Sequence, residues 1–96
     1  MMVVVCYDVD TTKSEGRRRL RRVAKTCLNF GQRVQDSVFE CLVEPAQFVD
    51  LKNKLGKEYN AQEDSLRFYF LGKNWKNRVE HMETKEPLYL EGPLVI

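Results

Sequence analysis

The spacing of apolar side chains changes repeatedly along this chain, and each change predicts an element. Met2 to Val9 is rich in β-branched and aromatic residues, as expected of a strand covered on both faces in the middle of a sheet. Asp8 and Asp10 fall at its carboxyl end. Leu20, Val23, Ala24, Cys27 and Leu28 then recur at helical spacing, laying one apolar stripe on a helix that ends before Gly31. Thr12 with Glu15 reads as a capping box and Ser14 as a competing cap, so this helix should start between residues 12 and 15.

Gln32 to Val43 is extended in character but longer than the usual strand of about five or six residues. A tight turn near Asp36 and Ser37 would divide it, leaving Val38 to Val43 as the second of two strands. Pro45 suits the first turn of another helix, along which Phe48, Leu51, Leu55 and Tyr59 share a face, with Gly56 weakening its end. Ser65 to Leu71 is strand-like again, and the polar loop from Gly72 to Asn77 leads into Arg78 to Met82, which is expected to pair back as a hairpin. Leu88 to Ile96 suits a strand added to a neighbouring edge. Strand, helix, two strands, helix, strand is the split βαβ order, an α+β, ferredoxin-like (βαββαβ) fold with both helices on one face of the sheet and an additional C-terminal strand.

Length and composition narrow the picture. Ninety-six residues make one domain, residues 1–96, with a modest core that subunit association would help. Hydrophobic residues at 43% and charged ones at 31% exclude a largely disordered chain. The apolar opening lacks a basic leader and a cleavage site, and it is far short of a membrane span. Cys6, Cys27 and Cys41 stand singly, so reduced thiols in the cytoplasm fit better than disulfides.

The net charge of +2 conceals an asymmetry. Residues 1–35 carry eight Lys/Arg against three Asp/Glu, a net +5, while residues 36–96 carry a net −3. The excess sits on the first helix, where Arg17, Arg18, Arg19, Arg21, Arg22 and Lys25 meet no acidic residue before Asn29. Such a surface neutralises phosphates without regard to sequence, and Arg33 extends it. An ordinary solvated helix face is the competing interpretation, although such faces usually mix signs.

Candidate chemistry centres on Asp8, because ligands gather at the carboxyl ends of strands in α/β architectures. Mg²⁺ or Mn²⁺ takes one or two carboxylates together with waters and phosphate oxygens. One Asp8 per chain is thin, but a twofold axis near the first strand would bring two copies together in a homodimer. Alternatively, Asp8 and Asp10 only form a turn before the helix. His81 is the single histidine and suits a structural or surface role. No zinc spacing, P-loop or G-x-G-x-x-G is present. Trp75, among Lys73, Lys76 and Arg78, suits either base stacking or packing on its own sheet.

The strand ending C-Y-D-V-D, the helix R-R-R-L-R-R-V-A-K and the segment F-G-Q-R-V-Q-D-S-V-F-E-C-L-V together resemble the CRISPR-associated protein two family. The likeness extends to V-E-H and the terminal P-L-V-I, and is closest to type I-C members. Phe30 and Asp36 depart from residues common in close relatives. The resemblance implies a ferredoxin-like homodimer with Asp8 on a shared Mg²⁺, and residues 88–96 adding to the partner subunit's sheet. It implies a role in CRISPR adaptation beside an integrase partner, with duplex prespacer DNA held by basic residues, here Arg17, Arg18, Arg21, Arg22, Lys25 and Arg33. Family members are described as metal-dependent endonucleases on single-stranded RNA or double-stranded DNA. In an enzyme of that kind Asp8 is the catalytic and metal-binding residue, and Tyr7, Ser37 and Phe39 shape its site. A non-catalytic DNA-binding scaffold is the alternative, and a protein-interaction module without nucleic acid a third.

Overall fold

The computed structural model describes residues 1–82. Six principal elements appear in the expected order: β1 (Met2–Asp8), α1 (Ser14–Leu28), β2 (Gly31–Gln35), β3 (Val38–Leu42), α2 (Pro45–Glu58) and β4 (Ser65–Gly72). They form one four-stranded sheet in the order β2-β3-β1-β4 with every neighbouring pair antiparallel. This is the α+β, ferredoxin-like arrangement.

β1 lies in the middle of the sheet because both of its edges are paired. Val3 lies opposite Cys41 and Phe70, Val5 opposite Phe39 and Phe68. The alternation along β1 sends Val3, Val5 and Tyr7 to the helix side, where they are buried with Phe39 and Cys41 of β3. Val23, Ala24 and Cys27 of α1 and Leu51 and Leu55 of α2 close this core from above. Edge-to-face contacts of Phe48 with Phe68 and Phe70, at centroid distances of 5.4 and 5.0 Å, seal the β4 side. Thr26 Oγ1 donates to Glu58 at 2.8 Å and ties α1 to α2.

The other face of β1 differs from expectation. Val4 and Cys6 are only half-buried and Asp8 is exposed, so among the described residues a single face of the central strand is covered. Leu42 and Tyr69 stand exposed on the same open face. An apolar run is therefore explained by central position plus a sheet face that the described residues leave uncovered.

Local corrections follow from competing hydrogen bonds. Thr12 does not cap α1; its amide and hydroxyl both donate to Asp10 Oδ1, at 2.9 and 2.6 Å, and Lys13 occupies the N-cap. Arg78 to Met82 forms no strand, because the chain tightens after Gly72 into a 3-10 turn over Trp75–Asn77. Trp75 is half-buried there, with Lys76 Nζ 5.7 Å from its ring centre. The expected strand at 88–96 lies outside the described residues. Among the described residues no helix is long and apolar enough to cross a membrane, and Cys6, Cys27 and Cys41 are free thiols.

Candidate functional site at the end of the central strand

Asp8 is the last residue of β1, and strand alternation aims it at the open face, opposite Ser65 of β4. A hollow of about 370 Å³ opens there, lined by Cys6, Asp8, Ser37, Ser65, Arg67 and Tyr69. The β2–β3 turn supplies Ser37, whose carbonyl accepts the Tyr7 amide at 2.9 Å and so fixes the turn beside the end of β1. On β4 the alternation of S-L-R-F-Y-F sends Leu66, Phe68 and Phe70 toward the helices and Ser65, Arg67 and Tyr69 toward the hollow. Arg67 Nη1 donates to Tyr69 Oη at 3.1 Å.

The two acids after β1 have separate fates. Asp10 forms an Asx turn with Thr12, and those two hydrogen bonds hold its carboxyl below the usual carboxylate range. The turn-forming role thus belongs to Asp10. Asp8 takes no part in it, and among the described residues its carboxylate has neither a hydrogen-bond nor an ion-pair partner.

Tyr7 touches the hollow, yet its ring is only 2% exposed and its hydroxyl donates to Asp64 on the helix side. Burial, followed by that hydrogen bond, pushes the phenol up to about 12. Phe39 is wholly buried in the core and does not line the hollow. Of the three residues expected to shape the site, Ser37 is the one whose surroundings are those of Asp8.

Arg18, Arg21, Arg22 and Lys25 are exposed along the solvent side of α1. The helix layer and the Asp8 hollow lie on opposite faces of the sheet, so this cationic stripe and the hollow are separate surfaces of one chain. Arg17 bridges toward the β1–α1 loop, its Nη1 donating to Thr11 O at 3.0 Å. Arg33 turns back on its own hairpin, giving two donors to Asp36 O at 2.8 and 2.6 Å above the Phe39 ring. Arg19 leaves the stripe: it forms a bidentate pair with Asp64 at 2.8 and 3.0 Å.

A divalent cation needs more oxygen donors than this hollow provides. Among the described residues no group of three or more His, Cys, Asp or Glu side chains converges. Asp8 with the hydroxyls of Ser37 and Ser65 offers oxygen chemistry suited to Mg²⁺ or Mn²⁺, but one chain supplies a single carboxylate, leaving the other positions to waters, phosphate oxygens or a second copy.

Sequence reading missed Ser65, Arg67 and Tyr69. The period-two alternation of β4 carried the signal, since polar positions on one face of a strand opposite Asp8 must share its surface.

Residues 1–79 match the family model described as CRISPR associated protein Cas2. A protein of Chlorobaculum tepidum named CRISPR-associated endoribonuclease Cas2 is 62% identical over 96 residues, covering 100% of both chains. One of Halalkalibacterium halodurans, named CRISPR-associated endonuclease Cas2, is 50% identical over 95 residues, covering 99% of each. The crystal structure of Streptococcus pyogenes Cas2 at pH 6.5 superposes with a TM-score of 0.81 at 58% identity, covering 86% of this chain and 100% of that one.

Proposed function

This chain belongs to the Cas2 family of CRISPR-associated proteins, and from that premise we propose that it is a metal-dependent endonuclease that works as a homodimer in CRISPR adaptation, with Asp8 as its catalytic residue. The observation that carries the proposal is the position of Asp8: an exposed, unpartnered carboxylate ending the central strand, inside a hollow that also holds a guanidinium and three hydroxyls. Relatives at 62% and 50% identity bear the names endoribonuclease and endonuclease.

The uncovered sheet face supports the homodimer. Val4, Cys6, Leu42 and Tyr69 leave apolar surface beside Asp8, and a second copy laid on it would bring Asp8 of the partner subunit close. The two Asp8 carboxylates would hold Mg²⁺ or Mn²⁺. When bound, the cation supplies an activated water and neutralises charge on the phosphoryl oxygens. Asp8 then contributes a fixed negative oxygen, while Ser37 and Ser65 are placed to donate to substrate oxygens. The substrate is single-stranded RNA or duplex DNA; the integrase of the adaptation complex is the expected partner and the cytoplasm, where free thiols persist, the compartment.

Purified Asp8→Ala protein should fold as the parent does, because Asp8 holds no partner among the described residues, and should lose Mg²⁺-dependent cleavage. Asp8→Asn keeps the shape and tests the charge by itself. Undiminished cleavage by Asp8→Ala, free of contaminating nuclease, would falsify the catalytic assignment.

A specific observation also favours a non-catalytic scaffold. The arginine stripe lies on the face of the sheet away from Asp8, so duplex DNA held there need not meet the hollow. Spacer acquisition that survives Asp8→Ala but not combined Arg→Ala changes on α1 would select the scaffold.

A further inference from the structure

We propose that Arg67 is a phosphate-binding residue of the Asp8 hollow, taking one phosphate group of a nucleic-acid strand into the space between itself and Asp8. The proposal deepens the nuclease reading and rests on it for the substrate class.

Strand register places the two groups. Asp8 faces Ser65 and Cys6 faces Arg67, so Asp8 and Arg67 point to the same side of the sheet as diagonal neighbours. Such neighbours sit about 7 to 8 Å apart, within reach of a long side chain but wider than a direct contact. Among the described residues Arg67 forms no ion pair with Asp8 or any other carboxylate. A guanidinium and a carboxylate that share one hollow without closing on each other leave room for a phosphate whose oxygens accept from Arg67.

Two other arginines each commit two donors, Arg19 to Asp64 and Arg33 to Asp36 O. Arg67 commits one hydrogen bond, to Tyr69 Oη, out of five N–H donors. That bond steadies the guanidinium on the exposed face, and the remaining donors match the forked geometry of phosphate oxygens. Ser37, from the β2–β3 turn, and Ser65, opposite Asp8 on β4, also line the hollow. The arginine stripe of α1 is the contrasting case: it does not line this hollow and suits backbone tracking without register.

The test uses the full chain in an Asp8→Ala background, so that no probe is consumed. Inorganic phosphate and a dinucleoside monophosphate, too short to span to α1, are titrated while arginine Nε–H resonances are followed. Arg67 should shift with both probes; Arg67→Ala should weaken dinucleotide affinity about tenfold, and Arg67→Lys should restore only part of it. Unchanged affinity in Arg67→Ala, with unchanged thermal stability, overturns the proposal. Cleavage by the parent with and without Arg67→Ala is measured alongside. Absent cleavage combined with Arg67-dependent binding removes the nuclease assignment and leaves the phosphate site standing. Intact cleavage with Arg67-independent binding removes the phosphate site alone.

Discussion

Asp64 has no exposed side-chain surface, yet it accepts hydrogen bonds from Arg19, from Tyr7 and from the Asn60 amide at 3.0 Å. Burial pushes its carboxyl up, but the bonds from Arg19, Tyr7 and Asn60 outweigh burial and hold it below the usual value of 3.8. A folded pKa below the unfolded one means stabilisation that is full at neutral pH and lost as pH falls through the folded value. Asp64→Asn should therefore lower neutral-pH stability by about 2 kcal/mol, the cost of unsatisfied buried partners. The difference from the parent should shrink on acidification below pH 3.8, and urea midpoints at several pH values measure it. Tyr7→Phe removes one donor and leaves the Arg19 pair, so its effect should be smaller, about 1 kcal/mol. The triad was illegible in the chain because its members are 45 and 57 residues apart. Sequence spacing places Arg19 among its arginine neighbours, whereas only the β4 approach shows which arginine faces inward.

Elements whose signal is local were legible. The stripe from Leu20 to Cys27, the break at Asp36 and Ser37, and Pro45 opening α2 all act through neighbours within a few residues, and each boundary lies close to its expected place. The Thr12 capping box and the Arg78–Met82 hairpin failed because Asp10 and the Trp75 turn offered closer partners. Two glycines separate propensity from close approach. Gly56 stands in α2 with open space where a Cβ would go, so Gly56→Ala should raise stability by about 0.5 to 1 kcal/mol in thermal melts. Gly16 packs its α1 backbone against the Asp10 carbonyl, and a Cβ there would overlap that oxygen. Gly16→Ala should lower the melting temperature and displace the loop that follows Asp8, measurable as altered amide shifts from Val9 to Thr12.

In the whole molecule, the sheet separates a cationic helix layer from an open face that ends in Asp8. Binding and cleavage should therefore be separable. Replacing Arg18, Arg21, Arg22 and Lys25 together should weaken duplex affinity and flatten its dependence on salt by about 0.9 in logarithmic slope for each phosphate no longer neutralised. Asp8→Ala should leave that slope unchanged. In the proposed homodimer a second copy would cover the apolar, half-buried positions of the open face, Val4 and Cys6, and would pair the two acids. Purified heterodimers containing one parent chain and one Asp8→Ala chain test this pairing most directly, by their Mg²⁺-dependent cleavage rate. A shared centre predicts a rate close to that of the Asp8→Ala homodimer; half the parental rate would mean that each Asp8 works alone and would contradict the pairing.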